Sequence, residues 1–425
     1  MSRFRAAFAA AVVSFGAIAP THAAAPLRLE DAFQRVIESH PDLAVWRARR
    51  EALQAERDAA ALPPPVTANL SSENAPGTGN ASGFQQAELT VSLASVLERG
   101  GKREARVEVA SHRLDATAVL QEARRIDLLA EVARRYLDAV VAGAEARLAA
   151  ADVAQRERTL EAASKRVQAG GAPQSVRLAA LAAKQRAESD LHRAERAQTV
   201  AKRRLSLLWG ETRGASFDVT ASDFLRLPEV VAYEDLKQRL AKNPDLEVFG
   251  HEARIREARL RLAETARSRD VAWQVGVRRL QDGADWALVG NVSVPLGSMQ
   301  RAEPAIRAAA AELDALSMER EATRLGLEAA LAEAHGRIET AIAEAEQFDR
   351  VLLPTLREAE SSAEQAYRRG ALTYLEWAEL QSDIIATQHQ RLAASVEAHS
   401  ALIELQRLTG EPMLRAVDPA KEQRR

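Results

Sequence analysis

The chain has 425 residues, enough for two or three ordinary domains, and its 58 basic and 60 acidic side chains give a net charge of -2 at pH 7. This near balance argues against a dedicated nucleic-acid-binding protein, which would carry a surplus of lysine and arginine on one face. The chain contains no cysteine, which excludes disulfides, thiolate metal sites, a cysteine nucleophile and lipidation at an N-terminal cysteine. Charged residues make up 28% and aromatic residues 4% of the chain, and this composition favours long helices over compact globular domains.

The first 25 residues have the pattern of a secretory signal peptide. Arg3 and Arg5 precede an apolar stretch over residues 6–19, and small side chains around Ala23–Ala25 offer a cleavage site. The apolar stretch is shorter than the ~20 residues that a membrane-spanning helix needs, so a membrane anchor is the weaker interpretation. No later segment reaches about 18 uninterrupted apolar residues. Any membrane crossing by the mature chain is therefore expected to use strands.

The rest of the chain is a tandem duplication. Four stretches of one half match four stretches of the other, in the same order and about 200 residues apart. The matched pairs are Leu27–Ala60 with Val231–Glu264, Leu89–Ala116 with Val289–Ala315, Arg166–Ala183 with Ala366–Asp383, and Leu205–Gly210 with Ile403–Gly410. We expect a first repeat over residues 26–210, a linker over 211–230, a second repeat over 231–410 and a polar tail over 411–425.

Each repeat is predicted to contain short helices, two strands, a very long helix, a break that contains glycine, and a second long helix. Alternating apolar and polar residues predict the strands, at 66–74 and 84–94 and then at 271–281 and 286–295. Apolar residues at three- and four-residue spacing predict the long helices, at 102–168 and 174–208 and then at 300–368 and 373–408. The first of these would be ~100 Å long at 1.5 Å per residue. No single globular core needs a helix of that length.

Each predicted strand has one apolar and one polar face, and each has about ten residues, the length that a tilted strand needs to cross a bilayer. The positions expected to face lipid are Leu89, Val91, Leu93, Trp273, Val275, Trp286, Leu288 and Val292. The two tryptophans suit the membrane–water interfaces. A soluble sandwich of two hairpins is the alternative. Four strands cannot close a barrel in lipid, so several copies would have to share one, and three copies would supply twelve strands.

The sequence predicts no catalytic, cofactor or metal site. His251 is followed by Glu252 but lacks the second histidine of a zinc-protease motif, and His112, His192, His335 and His389 stand alone on helices. The sequence has no phosphate-binding loop and no nucleophile elbow. The chain is therefore expected not to be an enzyme and to need no cofactor.

The duplicated order of helices and strands resembles that of the TolC-type outer-membrane efflux proteins over nearly the whole mature chain. Three motifs carry the resemblance: "LERGGKREARVEVA" at 97–110, "AGGAPQSVRLAALAA" at 169–183 and "YRRGALTYLEWAELQ" at 367–381. The first motif is most similar to the subgroup that serves heavy-metal resistance pumps of the cobalt–zinc–cadmium or copper–silver type. The second repeat departs from it with "PLGSMQRAEPAIRAA", and the lipidation cysteine of some members is absent.

The resemblance implies a mainly α-helical homotrimer in the outer membrane of a Gram-negative bacterium. Four strands from each protomer would form a shared twelve-stranded β-barrel, and the long helices would form an α-helical barrel across the periplasm. It further implies a passive exit duct that works with a periplasmic adaptor and an inner-membrane RND pump, without nucleic acid. The expected cargo is heavy-metal cations. The alternatives are a multidrug or type I secretion duct of the same fold and a soluble periplasmic coiled-coil adaptor.

The resemblance also implies two kinds of site residue. At the strand-to-helix junctions, where the chain must bend, stand Gly100, Gly101, Pro295 and Gly297. The glycine breaks would be helical hairpins at the far end of the duct, where the gate and the adaptor contact lie. Their candidate residues are Arg166, Gln168, Gly170, Gly171 and Ser175 in the first repeat and Arg368, Arg369, Gly370, Tyr374 and Glu376 in the second. Ordinary helix caps explain the glycines equally well, and a solvated helix face explains Arg368, Arg369 and Glu376.

Overall fold

A computed structural model of the chain describes residues 26–79, 82–212, 217–219 and 226–410. The expected signal peptide, parts of the linker (213–216 and 220–225) and the expected tail (411–425) lie outside these residues. The described residues form nine α-helices and one four-stranded antiparallel sheet. The predicted fold class, mainly helical with four strands, is therefore confirmed.

The first repeat contains four helices and two strands. They are α1 (Leu29–Ser39), α2 (Pro41–Ala60), β1 (Thr67–Glu73), β2 (Glu88–Leu97), α3 (Lys102–Gln168) and α4 (Gln174–Ser206), and a 3-10 turn follows at Leu207–Trp209. The second repeat contains α5 (Tyr233–Leu240), α6 (Pro244–Thr265), β3 (Val271–Leu280), β4 (Trp286–Ser293), α7 (Ser298–Gln347), α8 (Leu353–Arg369) and α9 (Tyr374–Thr409). The order of elements is the same in both, apart from the division of the second long helix into α7 and α8.

That division is a correction to the predicted helix 300–368. A π-helical turn at Phe348–Leu352 separates α7 from α8, and Pro354 is the second residue of α8. Proline has no N–H, and its ring clashes with the carbonyl group four residues earlier in a regular helix. The wider π turn accommodates this proline, whereas α3 has no proline and runs without a break.

The second strand is also shifted from its predicted position, 84–94, to Glu88–Leu97. Residues 84–86 form a turn instead, in which the amide of Ala87 donates to the carbonyl oxygen of Phe84 at 3.1 Å. The alternation of the sequence begins before the strand does, because residues in a turn can alternate in polarity without pairing.

Helix packing repeats the duplication. The helix α3 packs against α4, α6 and α9, and α7 packs against α6 and α9. One buried cluster surrounds Tyr136 of α3, whose hydroxyl donates to the carbonyl oxygen of Leu27 at 2.9 Å. At the equivalent place in the second repeat, the Nε2 atom of His335 lies 3.0 Å from the carbonyl oxygen of Val231. His335 is therefore a packed structural residue.

The sheet has the strand order β1-β2-β3-β4, so one strand pair crosses between the repeats. In that pair Val91 of β2 lies opposite Val277 of β3. The strands β1 and β4 are the two edges. All four strand-to-helix junctions lie at one end of the sheet, and the described residues of the two strand connections (74–79 with 82–87, and 281–285) follow the strands at the other. Among the helices of the described residues, none combines the length and apolar composition that a membrane-spanning helix requires.

Candidate functional site

One face of the sheet is apolar and exposed. The strand registers place on it Leu70, Leu89, Val91, Leu93, Val275, Val277, Trp286, Leu288 and Val292. All of these side chains are exposed, with 80% of Leu288, 71% of Leu70 and 69% of Trp286 accessible. Exposed apolar surface costs about 25 cal/mol per Å² in water, and contiguous patches of this kind mark interaction surfaces.

The eight positions predicted to face lipid all lie on this apolar face. Seven are exposed, and Trp273 is half-buried opposite Val292 of β4. One charged side chain, Arg279, lies among the described strand residues of this face. Its guanidinium stands over the ring of Trp286, with 5.4 Å between its central carbon and the ring centroid.

The opposite face of the sheet is polar and covered by its own side chains. Thr90 and Ser92 are only 4% and 3% exposed. Arg278 donates to the hydroxyl of Thr90 at 3.0 Å and to the carboxylate of Glu88, and Gln274 donates to the hydroxyl of Ser92 at 2.7 Å. The sheet is thus the reverse of a soluble protein's sheet, because its polar side chains are packed and its apolar side chains are exposed.

Gly276 permits close packing in the middle of the polar face. A Cβ atom at this position would lie 2.5 Å from both the Cβ of Ser92 and the carbonyl oxygen of Val91. No real Cβ atom tolerates such distances, so only glycine allows β2 and β3 to approach as they do. The alternation of β3 gives no sign of this contact, because the contact depends on which strand lies beside it.

The predicted junction residues lie where the strands meet the long helices. Gly101 and Gly297 occupy equivalent positions directly before α3 and α7, with left-handed φ angles of 76° and 75°. Gly100 is also left-handed, and a Cβ there would lie 2.1 Å from the hydroxyl oxygen of Ser268. Pro295 lies in the short segment between β4 and α7. Glycine adopts these backbone angles without steric cost.

The junction between β2 and α3 is tied to the junction between α6 and β3. The Nζ atom of Lys102 donates to the carboxylate of Asp270 at 2.7 Å and to the carbonyl oxygen of Ser268 at 3.0 Å. The amide of Arg99 donates to the same carboxylate at 3.1 Å. Burial raises the pKa of Asp270, but these two donors outweigh it and hold the pKa below its usual value. No local pattern marks this link, because Lys102 and Asp270 are 168 residues apart in the chain.

The two helical hairpins have the same turn. Gly170 and Gly370 each end a helix in the left-handed conformation, with φ angles of 73° and 85°. The amide after each glycine then bonds back by five residues, Gly171 to the carbonyl oxygen of Arg166 and Ala371 to that of Ala366, both at 2.9 Å. This is the Schellman arrangement of a helix C-terminus, and it places the two tips in equivalent positions of the duplication.

Arg166 joins the two hairpins. Its Nη1 atom donates to the carbonyl oxygen of Tyr367 in the other hairpin at 2.8 Å, and its Nε atom donates to the carbonyl oxygen of Gly171 at 3.2 Å. The guanidinium also lies 4.8 Å from the centroid of the Tyr367 ring, which in turn stacks on Trp377. Burial raises the pKa of the Tyr367 hydroxyl, and the charge of Arg166 opposes that rise.

The other predicted tip residues are satisfied within their own hairpins. Arg368 pairs with Glu364, and Arg369 donates to the carbonyl oxygen of Gln365. Glu376 caps α9 together with Thr373, whose hydroxyl and amide bond its carboxylate and lower its pKa. Tyr374 is half-buried, whereas Gln168 and Ser175 are exposed. Of the predicted tip side chains, Arg166 alone makes a hydrogen bond between hairpins in the described part of the chain.

A second set of contacts between the hairpins involves residues that no sequence motif marks. The carboxylate of Glu360 in α8 accepts hydrogen bonds from Trp377, Gln155 and Gln381 at 3.0, 3.2 and 3.3 Å. It therefore connects α3, α8 and α9 next to a cavity of about 850 Å³ between the hairpins. No repeat signal marks these residues, since the position of Trp377 is occupied by Arg177 in the first repeat.

Within the residues that the structure describes, no group of three or more histidine, aspartate or glutamate side chains is arranged to hold a metal ion. Carboxylates of the helices instead pair with arginines, as Glu404 does with Arg407 at 2.9 Å and with Arg134 at 2.7 Å.

Comparison with known proteins agrees with this architecture. The family described as "Outer membrane efflux protein" matches residues 32–211. The cobalt-zinc-cadmium resistance protein CzcC of Cupriavidus metallidurans is 23% identical over 393 residues, which cover 92% of each chain. The crystal structure of CusC superposes with a TM-score of 0.76 at 17% identity, covering 90% of this chain and 92% of that one. The outer membrane protein VceC of Vibrio cholerae gives a TM-score of 0.72 at 18% identity, covering 90% and 96%.

The inverted sheet, the paired hairpins and these matches define a class, the outer membrane efflux proteins of the TolC type. Residues 32–211 of this chain match that family, and the chain has the fold of its solved members. The expectation that the chain is not an enzyme is confirmed by these matches, which are efflux and metal-resistance proteins by name.

Proposed function

We propose that the chain is the outer-membrane channel of a tripartite RND efflux system and that it exports heavy-metal cations. In this proposal three copies share one twelve-stranded barrel in the outer membrane of a Gram-negative bacterium. Their helices form a tunnel in the periplasm. The duct itself is passive, and the energy for transport comes from the inner-membrane pump.

The observation that carries the proposal is the sheet, whose apolar face is exposed while its polar face is packed. Exposed leucine, valine and tryptophan are stable against lipid and unstable against water. The edges β1 and β4 are unpaired within one chain, and unpaired backbone N–H and C=O groups are not tolerated in hydrocarbon. Pairing of β4 with β1 of the next copy satisfies both edges at once, and three copies close the ring.

The long helices support the periplasmic part of the proposal. The helix α3 has 67 residues, so it is ~100 Å long at 1.5 Å per residue. The helices α3 and α7 leave the sheet at the same end, and the hairpin tips follow the far ends of α3 and α8. An adaptor that docks at the tips would reach a pump in the inner membrane.

The proposed metal cargo is supported by one relative and one sequence motif. CzcC is by name a cobalt-zinc-cadmium resistance protein, and it is similar to this chain over 92% of both lengths. The motif "LERGGKREARVEVA" resembles the metal-resistance subgroup independently of that comparison. A multidrug or type I secretion duct has the same fold, so the cargo experiment must distinguish these alternatives from metal export.

Localisation and assembly test the channel itself. We expect the protein in the outer-membrane fraction, as a trimer that resists heat in detergent. A soluble adaptor with the same helices would be found in the periplasmic fraction as a monomer or a small oligomer. That result would contradict the proposed trimeric barrel in the outer membrane.

Cargo is tested by deleting the gene and exposing the cells to zinc, cobalt, cadmium, copper, silver and a set of organic antibiotics. Greater sensitivity to at least one metal, restored by the intact gene, supports metal export. Sensitivity to organic compounds alone would favour the multidrug alternative.

Docking at the tips is tested by a bulky residue at Gly370. Its φ of 85° is unfavourable for any residue with a Cβ, so Gly370→Val disturbs the tip. We expect trimers to form and export to be lost. Full resistance in this variant would mean that the tip takes no part in the mechanism.

A further inference from the structure

We propose that Arg279 and Trp286 form a binding site for a phosphate group of an outer-leaflet lipid headgroup. The inference rests on the proposed function, since it needs the apolar face to contact lipid. It adds a specific ligand chemistry at one named place on that face.

The position of Arg279 is the first argument. On the apolar face it lies opposite Leu89 of β2 and Trp286 of β4. This is the last paired row of the face, at the end of the sheet away from the helices. If the helices are periplasmic, this row meets the outer leaflet. A charged side chain costs about 2–4 kcal/mol at the middle of a bilayer and only ~0–1 kcal/mol near its surface, so the row suits an arginine.

The second argument is that Arg279 has unused hydrogen-bonding capacity. It donates one bond, to the carbonyl oxygen of Ala284 in the β3–β4 turn. Among the described residues it makes no ion pair, although the exposed residues Asp282 and Asp285 belong to the same turn. A guanidinium has five N–H donors in a planar fork that matches the oxygens of a phosphate group.

The neighbouring residue, Arg278, is an arginine whose guanidinium has hydrogen-bond and carboxylate partners in this sheet. It points to the polar face, where it bonds Glu88 and Thr90 and lies 3.6 Å from the carboxylate of Glu73. Two adjacent arginines of equal charge thus have opposite surroundings. The arginine on the polar face has carboxylate partners, whereas the arginine on the apolar face has an aromatic ring and no anion.

Trp286 completes the site. Its ring supports the guanidinium of Arg279, and tryptophan itself favours the membrane–water interface. The apolar residues Leu89 and Leu288 lie beside this pair on the same face and would contact the acyl chains below a bound headgroup. A lipid with a phosphate in its headgroup matches both the positive charge of Arg279 and the apolar surface of Leu89 and Leu288.

The test measures lipid binding to the purified full-length trimer by native mass spectrometry. The probes are diphosphoryl lipid A and, as a lipid without a free phosphate monoester, phosphatidylcholine. We expect Arg279→Gln to weaken lipid A binding about tenfold, as the loss of a charged hydrogen-bonding group would. Arg279→Lys should weaken it less, and phosphatidylcholine binding should not change.

Arg278→Gln is the matched control, because it removes the same charge from the other face. It should leave lipid A binding unchanged. Equal binding by the wild type and Arg279→Gln would overturn the proposal, as would an equal loss in both variants. Fractionation and the trimer assay test the proposed function independently of lipid binding. In both assays Arg279→Gln should behave as the wild type does.

Discussion

The guanidinium of Arg166 donates a 2.8 Å hydrogen bond to the carbonyl oxygen of Tyr367 and lies 4.8 Å from the centroid of its ring. These residues belong to different hairpins and to different repeats of the duplication. The relationship is not reciprocal, because the second repeat has Ala366 at the position of Arg166 and the first has Val167 at the position of Tyr367. The hydrogen bond of Arg166 across the tips is therefore made by the first repeat alone.

Removal of this side chain should loosen the tips. Arg166→Gln loses the charged donor, and hydrogen bonds of charged groups contribute about 1.5–3 kcal/mol each. If the tips form the gate, the variant should conduct more often in planar lipid bilayers than the wild type. Arg368→Gln is the control, since Arg368 is exposed and pairs with Glu364 of its own hairpin. Indistinguishable currents from the two variants would show that the Arg166 link does not restrain the tips.

The lipid contact of the sheet predicts an effect of charge that depends on the face. Leu89→Arg or Val91→Arg should impair assembly, because a charge on the lipid side costs about 2–4 kcal/mol at mid-bilayer. Asn291→Arg places the same charge on the polar face of β4 and should be tolerated. The amount of heat-resistant trimer in the outer membrane is the measurement. Normal trimers from both apolar-face variants would contradict the assignment of this face to lipid.

Gly276 predicts a steric effect with its own control. Gly276→Ala places a Cβ within 2.5 Å of atoms of Val91 and Ser92, so β2 and β3 must move apart. We expect a large loss of trimer or a markedly lower unfolding temperature. Gly290→Ala, on the adjacent strand, meets its nearest neighbour at 4.0 Å and should cost little. If the two substitutions had equal effects, close approach at Gly276 would not be needed for the sheet.

A buried histidine predicts a dependence of stability on pH. Burial lowers the pKa of His399 in α9 to about 4, from an ordinary value of 6.5. The unfolded chain therefore binds a proton at His399 before the folded chain does, so the free energy of unfolding should fall as the pH drops from 6.5 toward 4. This lowering of the His399 pKa corresponds to a loss of about 3 kcal/mol in the free energy of unfolding at a pH below 4.

His399→Gln should flatten the pH dependence of unfolding over that window, measured by the loss of helical circular dichroism in denaturant. His192→Gln, at an exposed position of α4, should leave the dependence as it is in the wild type. The assignment to His399 fails if the slope survives its replacement.

Local structure and the duplication of this protein can be predicted from its amino-acid sequence. Regular spacing of apolar residues predicts helices, and alternation predicts strands, because both depend on backbone geometry within a few residues. Alternation correctly predicts which residues lie on each face of the four strands. The positions of Gly170 and Gly370 correctly predict where the helices before the hairpin turns end. The limits of this local information are visible at Phe84, where alternation extends into a turn, and at the π turn before Pro354.

Contacts between distant residues depend on how the helices and strands pack, which local patterns do not specify. Arg166 and Tyr367 are 201 residues apart, and Lys102 and Asp270 are 168 apart. Neither pair is marked by a repeat, since duplication doubles each element but not the contacts between the copies. The same holds for Arg278 and Arg279, which are equivalent charges in the sequence. The pleat of β3 directs one to a carboxylate and the other to an apolar surface, and the neighbouring strands determine that difference.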